Sequence, residues 1–316
     1  MSAAEQPSND PAAPVAGGLS AEAARLMRLA TYASVSVATI LIAAKFAAWI
    51  LTDSVSLLST LIDSLLDAAA SLINLFAVHH ALQPADDEHR FGHGKAEPLA
   101  GLAQSAFIVG SAAFLIIEAA ERFFHPRAIE HEDIGYAVVV FSIVLTVALV
   151  AFQRYVVRKS GSVAISADSL HYQTDVLING SVLVSLFLAS EMGFTFADPA
   201  FALGIAAYII WTAWQIGTQA LNILMDHELP DDERRRIVEI ATGEDGVEGV
   251  HDLRTRSSGT QVFIQMHVEM DGDMTLRRAH EIADAVEIKV QNAFPNAEVI
   301  VHQDPEGVED VDREYQ

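Results

Sequence analysis

Read as a string of apolar and polar positions, the chain falls into two parts. From about Leu29 to Leu224 apolar residues come in six long runs, broken by short polar stretches. The runs cover roughly Leu29–Leu51, Val55–Leu82, Leu99–Phe124, Ile134–Val157, Ser162–Ser190 and Asp198–Leu224. A helix needs about 20 residues to cross about 30 Å of hydrocarbon, so each run is long enough to be a membrane span. The last opens at Asp198-Pro199, an N-capping acid followed by proline at the first helical position. Lys45 inside the first run is expected to snorkel or to meet a polar neighbour.

After Asp226 the pattern changes. Pro230-Asp-Asp-Glu233 opens a helix with an acidic first turn, ending near Gly243. Val250–Arg256 and Gln261–Glu269 read as strands around the turn Ser257–Thr260; in the second, Val262, Ile264, Met266 and Val268 alternate with polar residues. Leu276–Phe294 is an amphipathic helix and Ala297–Gln303 a final strand. The order αββαβ predicts a small α+β domain with helices on one face of a sheet. The expected organisation is therefore a disordered tail over 1–24, a six-span bundle over 25–226, an α+β domain over 227–306 and an acidic tail over 307–316.

Composition supports a membrane part joined to a solvated part: 51% of residues are hydrophobic, yet mean hydropathy is only +0.29. The formal charge of −23 is uneven, with 22 Asp/Glu against 9 Lys/Arg from His227 onward. That balance repels nucleic acid and attracts cations. Arg25, Arg28, Arg90, Lys95, Arg154, Arg158 and Lys159 flank the spans on one side, while the other has only Arg122 and Arg127. Both termini are accordingly expected in the cytoplasm. There is no cysteine, so any metal chemistry must use His, Asp and Glu.

Two stretches carry that chemistry inside the apolar runs. Asp63-Ser-Leu-Leu-Asp67 and His171-Tyr-Gln-Thr-Asp175 each hold two potential ligands four residues apart, on one face of a helix. Packed face to face, they would offer three carboxylates and one imidazole, a tetrahedral set suited to Zn²⁺ or a similar ion. Ionisable groups at bilayer depth cost about 2.5–3.5 kcal/mol each on insertion scales, which makes them functional candidates. Between the second and third runs, Asp86, His89 and His93 lie in a glycine-containing loop; both a second metal site and a plain solvated loop fit the spacing. In the last domain His251, His267, His280, His302 and Asp304 are scattered over helix and strands, as a shared metal site or as separate surface histidines.

The paired motifs, the six spans and the αββαβ domain together resemble the cation diffusion facilitator family. Leu82-Gln-Pro-Ala-Asp-Asp87, Phe91-Gly-His-Gly-Lys95, His251-Asp-Leu-Arg-Thr-Arg256 and His302-Gln-Asp-Pro305 look similar to bacterial zinc exporters of that family. The similarity runs from about Arg28 to Pro305. It implies a homodimeric antiporter of a bacterial inner membrane that exports Zn²⁺, with Cd²⁺ as a second cargo, in exchange for protons. It implies a transport site of Asp63, Asp67, His171 and Asp175, a loop site of Asp86, His89 and His93, and a paired-metal site of His251, His267, His280, His302 and Asp304. Asp304 would be the bridge in the last of these. Lys95 and Asp226 match a charge pair that interlocks the parts at the dimer interface, and the last domain is implied to be ferredoxin-like.

Metal loading requires deprotonated ligands, so cargo and protons are expected to compete. Metal in the last domain is expected to hold the dimer together more than to regulate it. Other readings are an iron(II)- or manganese-preferring exporter and a non-transporting metal-sensing scaffold. A membrane metallohydrolase is disfavoured, because there is no His-Glu-x-x-His helix and four protein ligands leave no open position for water.

Overall fold

A computed structural model describes residues 20–52, 55–124, 133–192, 197–259, 261–295 and 297–307. Most of the expected N-terminal tail, the acidic tail from 308, Asp53 of the first turn and Thr260 of the strand turn lie outside them. The chain divides into two compact units, one from Ser20 to Asn222 and one from Ile223 onward.

The first unit is helical: α1 (Ala21–Thr52), α2 (Val55–Ala81), α3 (Ala96–Phe124), α4 (Asp133–Ser160), α5 (Val163–Met192) and α6 (Ala197–Leu224). Among the described residues, five of these are long and apolar enough to cross a membrane, over Ala21–Leu51, Thr60–Ala81, Ala96–Glu121, Ala137–Ser160 and Ala200–Leu224. Over its described residues α5 is not among them, and its first half carries Asp168, Ser169, His171, Gln173, Thr174 and Asp175. Its position accounts for the polarity. Helix α5 packs against α1, α2, α3 and α4, and nearly all of Val163–Thr174 is buried. The outside of the unit is the reverse, with Ile62, Leu66, Phe76, Phe114, Val144 and Trp214 exposed. Apolar outside and polar within is the arrangement lipid demands, since polar groups must find partners inside the protein.

Two details fix where α5 begins. Glu97 of α3 is buried and accepts hydrogen bonds from the Ser162 hydroxyl and the N–H groups of Val163 and Ala164. It thereby satisfies donors that a helix N-terminus leaves open. Beside it, Gly101 lets α3 approach α5 closely: a Cβ there would stand 2.9 Å from Val163 Cγ1.

The second unit holds α7 (Asp231–Thr242), β1 (Gly249–Ser258), β2 (Gln261–Met270), α8 (Leu276–Ala293) and β3 (Ala297–Pro305). The sheet has the order β1-β2-β3, with β1 and β2 antiparallel and β2 and β3 parallel. Ile264, Met266, Val268 and Val299 pack on Ile237, Ile282, Val286 and Val290 of the helices. Alternation then turns Gln265, His267 and Glu269 to the opposite face. This is the two-layer α+β domain that the element order predicts. The pairing His251↔His267↔His302 sets three imidazoles in one row across the strands. A bulge in β1 between His251 and Arg254 keeps His251 in that row, with Asp252 at φ 44°.

Candidate functional site

In the helical unit, α2 and α5 bring Asp67, His171 and Asp175 together, with one ligand atom of each within 4.8 Å of the others. His171 is 7% exposed, and its Nε2 lies 2.9 Å from Asp67 Oδ1. The Phe107 and Tyr172 rings stand 6.2 and 5.6 Å from the imidazole, centroid to centroid. Asp63 lies one helical turn earlier on α2, is exposed, and is not among the three atoms that converge. Next to it on α2, Lys45 of α1 donates to Ser64 Oγ at 2.7 Å and to the Thr60 carbonyl at 3.2 Å. A lysine at this depth thus meets polar partners inside the bundle.

The loop after α2 folds back on itself. Asp86 Oδ1 accepts from the N–H of His89 at 2.6 Å and of Glu88 at 3.0 Å. The His89 N–H chiefly holds its carboxyl below the ordinary value of 3.8, so Asp86 stays ionised. His89 Nδ1 and His93 Nε2 each lie 3.3 Å from an Asp86 oxygen. Asp86, His89 and His93 form a second group of ligand atoms within 4.8 Å. His80 stands edge-on to His93 at 4.4 Å between centroids. It was absent from the loop motif because it lies on α2, and only the fold returns it.

In the α+β domain the converging atoms belong to His251, His267 and Asp304. Asp304 Oδ2 lies 2.8 Å from His267 Nδ1 and 3.4 Å from His251 Nε2, while Oδ1 lies 3.2 Å from His302 Nε2. One carboxylate thus faces three imidazoles. His280 is exposed on α8, its Nδ1 3.4 Å from Asp284. Helix α8 covers the face of the sheet opposite the histidine row, so His280 is apart from the other four within one chain. Sequence reading also omitted Glu269, 3.1 Å from His251 Nδ1, and Asp252, 3.8 Å from His267 Nε2. Strand pairing places both, and no local motif marks them. Of the expected charge pair, Lys95 is on the loop preceding α3; Asp226 follows α6 at φ 55° and meets Arg256 Nη1 at 3.4 Å.

The comparisons agree with this division. Residues 31–225 match the model of the cation efflux transmembrane domain, and residues 229–306 that of the cation efflux protein cytoplasmic domain. The chain is 50% identical over 282 residues to the cation-efflux pump FieF of Serratia proteamaculans, covering 89% of this chain and 94% of that one. It is 50% identical over 285 residues to the FieF pump of Yersinia enterocolitica, covering 90% and 95%. Among solved structures, one titled MamM-CTD 215-293 is 33% identical, with a TM-score of 0.23, over 24% of this chain and 96% of that one.

Proposed function

This chain belongs to the cation efflux family, the cation diffusion facilitators its motifs resemble, and from that premise we propose that it exports Zn²⁺ in exchange for protons. It is a membrane transporter of divalent metal cations, not an enzyme. The observation that carries the finer reading is the approach of Asp67, His171 and Asp175 inside an otherwise apolar bundle. Asp63, one turn away on the same helix, completes a set of three carboxylates and an imidazole once its side chain swings along α2. Zn²⁺ and Cd²⁺ accept imidazole in tetrahedral settings, whereas Mn²⁺ and Mg²⁺ favour octahedral oxygen shells.

The coupling follows from the ligand charges. Three carboxylates near one point, with no cation among them, repel one another, and protons relieve that repulsion. Metal and protons therefore occupy the site alternately. With the site opening first to the cytoplasm and then to the far side, inward protons drive outward metal. Six spans with both termini in the cytoplasm, in a bacterial inner membrane, complete this reading. So do an interlock between Lys95 and Asp226 and the organisation into 25–226 and 227–306, with tails at 1–24 and 307–316.

The α+β domain would serve as the dimer contact, as the resemblance implies. His251, His267, His302 and Asp304 have the donor chemistry to hold two cations with Asp304 between them. His280, on the other layer, would reach such a centre from the second subunit. The loop group at Asp86, His89 and His93 is a further cation seat.

Reconstitution in proteoliposomes with a set pH gradient tests the reading. Zn²⁺ flux against protons, abolished in Asp67→Ala, is the expected result. Metal movement indifferent to the gradient would refute the exchange, and no movement at all would leave a metal-sensing scaffold.

A further inference from the structure

A second acid lies within the bundle and takes no part in the ligand set. Asp168 of α5 is 1% exposed, one turn before His171. Each of the four neighbouring helices turns one uncharged polar side chain toward it. Ser34 of α1 donates to Oδ2 at 2.6 Å, Gln153 of α4 to Oδ2 at 2.7 Å and Gln104 of α3 to Oδ1 at 3.3 Å. Asn74 of α2 lies against the same carboxylate. Gln153 also donates to Ser34 Oγ at 2.9 Å, which ties the ring together. The titratable groups acting on Asp168 are His171 and Tyr172 of its own helix, and no lysine or arginine hydrogen-bonds it among the described residues.

A carboxylate buried without a countercharge is costly, and an asparagine of the same shape would avoid the cost. The surroundings are unsuited to a metal, since three of the neighbours present N–H or O–H donors to the acid. They suit a proton. A glutamine amide donates to a carboxylate through its nitrogen and, turned over, accepts from a carboxylic acid through its oxygen. Gln153 Oε1 is buried beside Asp168 with no hydrogen-bond partner, as is Asn74 Oδ1. The pocket therefore holds acceptors available to a protonated Asp168.

We propose that Asp168 is a proton-carrying residue of the exchange, governed by the charge of the metal site one turn away without touching the cargo. The inference rests on the exchange reading above. A dication bound at Asp67, His171 and Asp175 acts on Asp168 across a poorly screened interior, where charges interact far more strongly than in water. Its arrival drives the proton from the Asp168 carboxyl to solvent; its departure restores the negative site and draws a proton back. By reciprocity, a proton on Asp168 weakens metal binding. The ligand carboxylates are then not the sole source of the protons exchanged.

The test counts protons at equilibrium and needs no flux. Full-length protein in lipid nanodiscs is titrated with Zn²⁺ in weakly buffered solution, with bound metal followed by calorimetry and released protons by a pH indicator. Asp168→Asn is expected to bind as many ions and release close to one proton fewer per chain; Asp168→Glu should restore the count. Equal release from Asp168→Asn and the unaltered protein overturns the proposal while leaving the exchanger reading intact. Metal binding unaffected by Asp67→Ala overturns both. If Asp168→Asn does not fold, infrared difference spectra of the unaltered protein decide. A protonated-carboxyl band lost on Zn²⁺ binding, and moved by Ser34→Ala, supports Asp168; a band absent or indifferent to Ser34→Ala rejects it.

Discussion

His171 is one imidazole among acids, and on the proposed reading that single nitrogen sets the metal preference. Its Nε2 is already 2.9 Å from Asp67 Oδ1, the spacing of two ligands of one ion. Replacing it by Asp leaves only oxygen donors, which favour harder, octahedral cations. His171→Asp is expected to lower Zn²⁺ flux at least tenfold while Mn²⁺ flux rises, read in the same vesicles with each metal in turn; an unchanged preference would remove His171 from selectivity. Asp86 makes a different point about single residues. Its carboxyl accepts hydrogen bonds from two backbone N–H groups, and those bonds form only in the folded loop. Its folded value is therefore depressed, so its contribution to loop stability is complete above the ordinary carboxylate value and is lost as pH falls through the depressed one. Carboxyl NMR should find Asp86 titrating below 3.8, and alanine at 89, which keeps the backbone N–H, should move it little.

At the scale of elements, α5 separates what the sequence discloses from what it withholds. The run Ser162–Ser190 and its His171-x3-Asp175 pair were legible, because apolar length and i,i+4 spacing are local properties. That the polar first half of α5, Val163 to Thr174, is nearly all buried follows from packing and leaves no local trace. Asp168 escaped notice for the same reason: its meaning lies in Ser34, Gln104 and Gln153, up to 134 positions away. The close approach of α3 supplies a prediction. Gly101→Leu would drive a side chain into Val163 and part the helices where Glu97 holds the start of α5. A loss of about 1–3 kcal/mol is expected from such overpacking. It should appear as a lower melting temperature in detergent, whereas Gly110→Leu, which faces open space, should melt like the parent.

The whole molecule joins two units with different rules of assembly. The helical unit is apolar outside and buries polar and charged groups within; the α+β unit has its own hydrophobic core. The strands of the second unit were readable from alternation, since Val262 to Val268 keep a strict period of two. Its histidine row was not, because rows are made by pairing and β1 is irregular. Reading Val250–Arg256 as one uninterrupted strand puts His251 on the same side as Leu253 and Thr255, which is the helix-covered side.

The left-handed turn of Asp252 has an unexpected corollary for how this segment tolerates change. Residues 252 and 253 oppose the single residue Met266, so β1 is one unit too long for its neighbour, and φ 44° absorbs the surplus. Removing Asp252 altogether takes out the surplus and leaves His251 opposite His267. Asp252→Val keeps the surplus but forbids the conformation that hides it, at a cost of about 1–3 kcal/mol, and presses the strand to slip until His251 turns inward. The shortened chain should therefore keep the greater part of its Zn²⁺ affinity and the full-length valine variant should not, as calorimetry on residues 223–307 would show. Here an excision is gentler than an exchange.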